Sequence, residues 1–397
     1  MNLQFTDSSF RSFIENDVVT RFKEYVTWDT QSSSKSTQTP STPGQILFLK
    51  HLQSELDCLK IRNFLDEKTG HLYAYLSSNP SQFSFYGHVD TSEEVSGHNV
   101  VPLEYVVTGH DIHLPFDNTV IPSSQLQKYK DQKIITSSGN TLLGADDKCA
   151  VAELMTFCTI VKDEDLPITV VFTPDEEIMK SISNISVERV EAKRGISLDG
   201  NELGSYSSEN FNAISARITI ECRNASCALF DFFGAMPHKH PSNTKDRSGF
   251  VLCTGFSGKG NEASAKFIIR SFEEDELNNF VVQMENLCDT IKTKYTGKIV
   301  FEKVRTYSNV RNFLKNDEIE KMLCGAMEEV GVKPIKIPFR GGFDACVLAE
   351  KGIDAINMFS GGINFHSKRE FAVVESMVKA VEIVVNIARK FSTKQVN

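Results

Sequence analysis

At 397 residues, with 40% apolar and 24% charged side chains, the chain has the length for two packed domains and a composition unlike that of a fibre, a disordered tail or a membrane protein. Its 43 basic and 52 acidic residues leave a net charge of −9, which repels polyanions, and no basic cluster marks a nucleic-acid footprint. Nine cysteines without a C-x-x-C pair exclude a zinc knuckle or a dithiol redox motif and fit a reducing compartment.

The N-terminal stretch carries Asp7, Glu15 and Asp17 and lacks an apolar core of signal-peptide length. No run approaches the length of a membrane span, so a cytoplasmic protein without a membrane partner is expected. Pro43 opens an amphipathic helix reaching about Leu56. A short strand over 83–86 then delivers His88-Val89-Asp90 just past its end. Val151, Leu154, Cys158 and Val161 recur at steps of three and four, which predicts a helix over 148–161 with one buried face. The unbroken apolar run 168–172, halted by Pro174, predicts a strand covered on both faces, as in a parallel sheet. Another strand over 195–198 ends in Asp199. Strand, helix and strand in this order give an α/β core.

From about 211 the pattern changes. Residues 214–220 alternate strictly, which suits a sheet with one wet face. Leu277, Phe280, Met284, Leu287 and Ile291 mark a helix, and a strand over 299–301 follows. Helices over 319–330 and 373–388 come after it. The expected organisation is a small α+β lid domain, 211–310, inserted into a catalytic domain made of 1–210 and 311–397.

Five short stretches concentrate metal-binding side chains: Gly87-His88-Val89-Asp90-Thr91, Gly144-Ala145-Asp146-Asp147-Lys148, Thr173-Pro174-Asp175-Glu176-Glu177, Leu198-Asp199-Gly200 and Asn364-Phe365-His366-Ser367. Singly, each has a plain explanation. Asp146 and Asp147 suit an N-cap and first turn, Glu176-Glu177 a solvated turn, and Asp199-Gly200 a turn in its own right. Together, two histidines and four carboxylates compose a mixed N/O donor set suited to zinc.

The blocks GHVDTS, TLLGADDKCAVAELMT, FTPDEEI, RGGFDACVLAEKG and SGGINFHSKREF resemble, in order, the signature blocks of the peptidase T group of the M20 metallopeptidase family. The resemblance spans nearly the whole chain and implies a tripeptide aminopeptidase with two zinc ions, a small-peptide substrate and the possibility of a homodimer. Carried over position by position, it implies His88, Asp146, Glu177, Asp199 and His366 as metal ligands, with Asp146 bridging. It further implies Glu176 as general base and Asp90 as the acid that orients the first imidazole, while Asp147 is left as a helix-start residue. Asn309, Arg311 and Arg340 fall in blocks that would read a peptide terminus.

The resemblance breaks in the inserted domain. Peptidase T chains carry a His-Pro-Gly loop whose histidine assists the substrate oxyanion, whereas here Glu221-Cys222-Arg223-Asn224 runs almost directly into Ala225-Ser226-Cys227. His238 and His240 are the nearby imidazoles. Phe343 stands where threonine is usual, and Met179-Lys180 where small residues are. Two further readings therefore stay open: a metal-binding protein with impaired catalysis, and an M20 hydrolase of dipeptides or N-acyl amino acids.

Overall fold

The computed structural model describes residues 8–180 and 182–392, so Met1–Asp7 of the N-terminal stretch lie outside the described residues. The chain divides into two compact units. The first runs to Ser208 and resumes over Leu314–Ile337 and from Phe343 onward; the second comprises Glu209–Phe313 and Pro338–Gly342.

The first unit is built on an eight-stranded sheet. All six residues of the strand Ile168–Thr173 are buried, which is what its unbroken apolar run requires. It pairs parallel with Phe83–His88, and parallel pairing continues to Arg194–Gly200 and Asp354–Phe359. Its other neighbour, His71–Tyr75, is antiparallel, so the sheet is mixed, with its parallel strands at the centre. Helix Ala145–Val161 packs on Phe83–His88, and Asp344–Glu350 packs on Asp354–Phe359. Phe85, Leu154 and Phe157 are fully buried in this core, each contributing about 1.5–3 kcal/mol through the apolar surface removed from water.

One element absent from the sequence expectations is the helix Ser8–Tyr25. Its buried Phe10, Ile14, Val18, Phe22 and Tyr25 recur at steps of four and three, a periodic face interspersed with charged and polar residues. A smaller antiparallel sheet in the same unit, ordered Gly362–Ile363, Phe371–Val373, Lys133–Thr136 and Leu103–Val106, supports the loops that carry Asp146 and His366.

The second unit is an antiparallel four-stranded sheet ordered Phe250–Lys259, Glu262–Ser271, Asn212–Cys222 and Gly297–Tyr307. Along Asn212–Cys222, Ile214, Ala216, Ile218 and Ile220 are buried while Ser215, Arg217 and Glu221 are exposed. The buried face packs against helices Ala225–Ala235 and Glu274–Lys294. The longer helix places three acids in its first turn and lysines in its last, complementing its dipole. Gly260, at φ 63, makes the turn of the hairpin between Phe250–Lys259 and Glu262–Ser271.

Candidate metal centre

The central parallel strands set the site by where they stop. His88 is the last residue of Phe83–His88, Asp199 lies at the end of Arg194–Gly200, and Glu176-Glu177 follow Ile168–Thr173. Carboxyl ends of parallel strands are where open α/β sheets hold ligands, because no strand continues to cover them. Asp146 enters from the first turn of helix Ala145–Val161, after Gly144 at φ 84. His366 comes from the turn between Gly362–Ile363 and Phe371–Val373, itself at φ 58.

These side chains converge. Asp146 presents one carboxylate oxygen to each imidazole, Oδ1 at 2.9 Å from His88 Nε2 and Oδ2 at 3.1 Å from His366 Nε2. Asp199 Oδ1 lies 3.9 Å from His88 Nε2, and Glu177 Oε2 lies 2.9 Å from His366 Nε2. Two donor groups result, each within 4.8 Å: His88, Asp146 and Asp199, and Asp146, Glu177 and His366. They share Asp146.

Three side chains hold the loops that carry these donors. The Asp90 carboxylate accepts from the amides of Glu176 at 2.9 Å and Glu177 at 3.2 Å. It also lies 3.4 Å from His88 Nδ1, although the Asp90 carbonyl is nearer to that nitrogen, at 3.1 Å. Glu370 accepts from the amides of Leu143, Gly144 and Asp146 at 2.7, 2.8 and 3.0 Å, fixing the approach to Asp146. The Asn357 amide accepts from the Asp199 amide and donates to its carbonyl, both at 2.9 Å. Neither Glu370 nor Asn357 stands out in the sequence. Asp147, expected merely to start a helix, is fully buried, and its carboxylate accepts from the His88 amide at 3.3 Å.

The electrostatics follow from crowding carboxylates out of water. Burial pushes the Glu176 and Asp199 carboxyls well above their usual range, with neighbouring acids adding to it. Burial and then Asp146 push Glu177 up to about 7. The imidazoles are also raised, for the opposite reason: burial opposes their charge, yet hydrogen bonds to Asp146 and Asp90 outweigh it at His88, and hydrogen bonds to Asp146 and Glu177 hold His366 at about 11. Oxygens Glu177 Oε1, Asp147 Oδ1 and Asp344 Oδ1 are buried without a hydrogen-bond partner. Buried acids in such excess demand positive charge, and oxygen and imidazole donors grouped in threes, with coordination positions left open, fit divalent cations.

The sequence profile of peptidase family M20/M25/M40 matches residues 140–390. Peptidase T of Parabacteroides distasonis is 34% identical over 93% of this chain and 98% of its own length. The chain belongs to the M20 peptidase family. Among solved structures of similar fold are a tripeptidase from Staphylococcus aureus, with TM-score 0.76 and 19% identity over 96% of this chain and 99% of that one, and a dinuclear metal-binding M20 peptidase from Bacillus subtilis, with TM-score 0.67 and 13% identity over 96% and 100%.

In this M20 peptidase the expected substrate-binding residues Asn309, Arg311 and Arg340 lie in the second unit. Asn309 is buried: its Oδ1 accepts from the amides of Asn210 and Arg311, and its Nδ2 donates to the Phe272 carbonyl. Arg340 donates to the carbonyls of Asp246 and Ser248 and to Thr244 Oγ1, and stacks over Phe211 and Phe250. Arg311 is exposed. Strand Asn212–Cys222 passes into helix Ala225–Ala235 through Arg223 and Asn224 alone, with Asn224 at φ 63. His240 is exposed, and its Nδ1 pairs with Ser242 Oγ.

Proposed function

We propose that this chain is a two-metal aminopeptidase that removes the N-terminal residue from tripeptides. The observation that carries the reading is the sharing of Asp146 between two donor groups. His88, Asp146 and Asp199 would hold one ion, and Asp146, Glu177 and His366 the other. Zinc is the metal proposed, since mixed imidazole and carboxylate ligation suits it. Bound there, such ions lower the pKa of water towards neutrality and polarise the scissile carbonyl.

The chain's own residues supply the rest. Glu176 is buried and carries a raised pKa, so its carboxylate is basic enough to take a proton from the attacking water and then deliver it to the leaving amine. Asp90 holds the amides of Glu176 and Glu177 and thereby fixes the turn from which both side chains project. Arg311, with its exposed guanidinium, suits the substrate carboxylate, while Asn309 and Arg340 shape the backbone of their unit. The tripeptidase name of the Staphylococcus aureus structure and the peptidase T relatives support the substrate class. A homodimer belongs to the same reading and is checked by sedimentation.

The direct passage through Arg223 and Asn224 favours a second reading, a metal-binding protein with slow turnover, because an oxyanion donor is worth roughly 10²–10³ in rate. Hydrolysis of a free tripeptide by metal-loaded protein separates the two. Wild type is expected to cleave it and to leave an N-terminally blocked tripeptide intact, and Glu176→Gln is expected to lose about 10²–10⁴ in kcat with its metals retained. Bound metal without turnover in the wild type would favour the second reading.

A further inference from the structure

Residues 41–45 grip the turn that carries Glu176. Ser41 donates twice to the Asp175 carboxylate, its amide to Oδ2 at 2.8 Å and its hydroxyl to Oδ1. Gln45 completes the grip reciprocally: its Nε2 donates to Asp175 Oδ1 at 2.8 Å, and its Oε1 accepts from the Asp175 amide at 3.0 Å. All three residues are buried. Asp175 sits at φ 53, a left-handed conformation that costs a non-glycine residue free energy unless its surroundings enforce it. These hydrogen bonds supply the enforcement one residue before Glu176.

On the far side of the turn, Lys180 donates through Nζ to the carbonyls of Ser36 and Gln38. The polar loop that precedes helix Pro43–Cys58 is therefore fastened to both flanks of Glu176-Glu177.

We propose that Ser41 and Gln45 are positioning residues for Glu176, acting through Asp175; the inference rests on the reading of Glu176 as general base. The turn is anchored independently by Asp90, which holds the amides of Glu176 and Glu177. Releasing the grip on Asp175 leaves that anchor, and with it Glu177, in place. What changes is the angle at which the Glu176 side chain leaves the backbone. The consequence is specific: turnover falls, while substrate binding and metal content stay.

The experiment uses full-length, metal-loaded protein as wild type, Ser41→Ala with Gln45→Ala, and Ser41→Thr, which keeps the hydroxyl. Tripeptide kinetics, metal content and hydrogen exchange over 173–180 are measured together. The double variant is expected to lose about tenfold or more in kcat with KM and both metals unchanged, while Ser41→Thr stays within about twofold of wild type, since small misplacements of a reacting group cost rate rather than affinity. Faster amide exchange confined to 173–180 accompanies the loss. Unchanged exchange, or faster exchange with kcat intact, overturns the proposal, as does a loss of kcat that tracks lost metal. An inactive wild type overturns the aminopeptidase reading instead, and exchange over 173–180 then still decides whether the grip exists.

Discussion

Over residues 214–221 of the second unit the strand sorts its side chains by polarity: Ile214, Ala216, Ile218 and Ile220 are buried and Ser215, Arg217 and Glu221 are exposed. At the strand ends of the first unit the rule inverts, and His88, Asp90, Asp146, Asp147 and Glu176 are all buried. An unpaired charge out of water costs several kcal/mol, so a chain retains such a cluster only where something offsets it. Part of the offset is visible as backbone amides donated to Asp90 and Glu370. The rest is the cation that the remaining acids require. The contrast separates a pattern that encodes packing from one that encodes a task.

The sharpest way to break that contrast is Asp146→Ala. Because this carboxylate belongs to both donor groups, its loss is expected to release both metals and abolish turnover, whereas His366→Ala should disturb the group it shares with Glu177 and leave the other. Metal content after gel filtration is the measurement. One firmly bound metal in Asp146→Ala would show that the aspartate does not serve both groups.

Ile218→Ala probes the other side of the contrast. Ile218 is fully buried among Phe232, Phe267 and Met284, and truncating it leaves a cavity costing about 2–5 kcal/mol in unfolding free energy. Metal content should stay at the wild-type value, since no donor is touched. Denaturant unfolding followed beside metal analysis tests both halves, and loss of metal would erase the distinction between the regions.

The same contrast explains what the sequence made legible. Alternation over 214–220 and the unbroken run over 168–172 record which faces a strand covers, a local property, and both appear as strands with the expected burial. The direction of a neighbouring strand is a long-range property, so the antiparallel pairing of His71–Tyr75 with Ile168–Thr173 left no trace in the run itself. The metal-type side chains were visible because they cluster in short stretches at strand ends. Glu370 was not: it acts through amides of residues more than two hundred positions away, and a carboxylate accepting backbone hydrogen bonds looks in sequence like any surface acid. Helix Ser8–Tyr25 had its apolar spacing on the page, diluted by charge.

His71 tests whether burial of a polar group by itself signals a task. It is fully buried in His71–Tyr75, its Nδ1 meets Thr69 Oγ1 at 2.9 Å, and its Nε2 has no hydrogen-bond partner. Burial pulls its pKa from 6.5 down to about 4, so between those values the unfolded chain binds the proton and the folded one does not. Stability from this group is therefore fully present above pH 6.5 and is lost as the pH falls towards 4, by roughly 3 kcal/mol in all. His71→Leu should leave stability at pH 7 nearly unchanged and flatten the decline between pH 6.5 and 4, read as the difference between the two proteins so that the acids of the metal centre cancel. Parallel declines would mean that His71 gains a proton or a partner in the folded state. A flattened decline with full tripeptide turnover would place His71 with the packing residues, and show that a buried imidazole needs converging carboxylates before it marks a site.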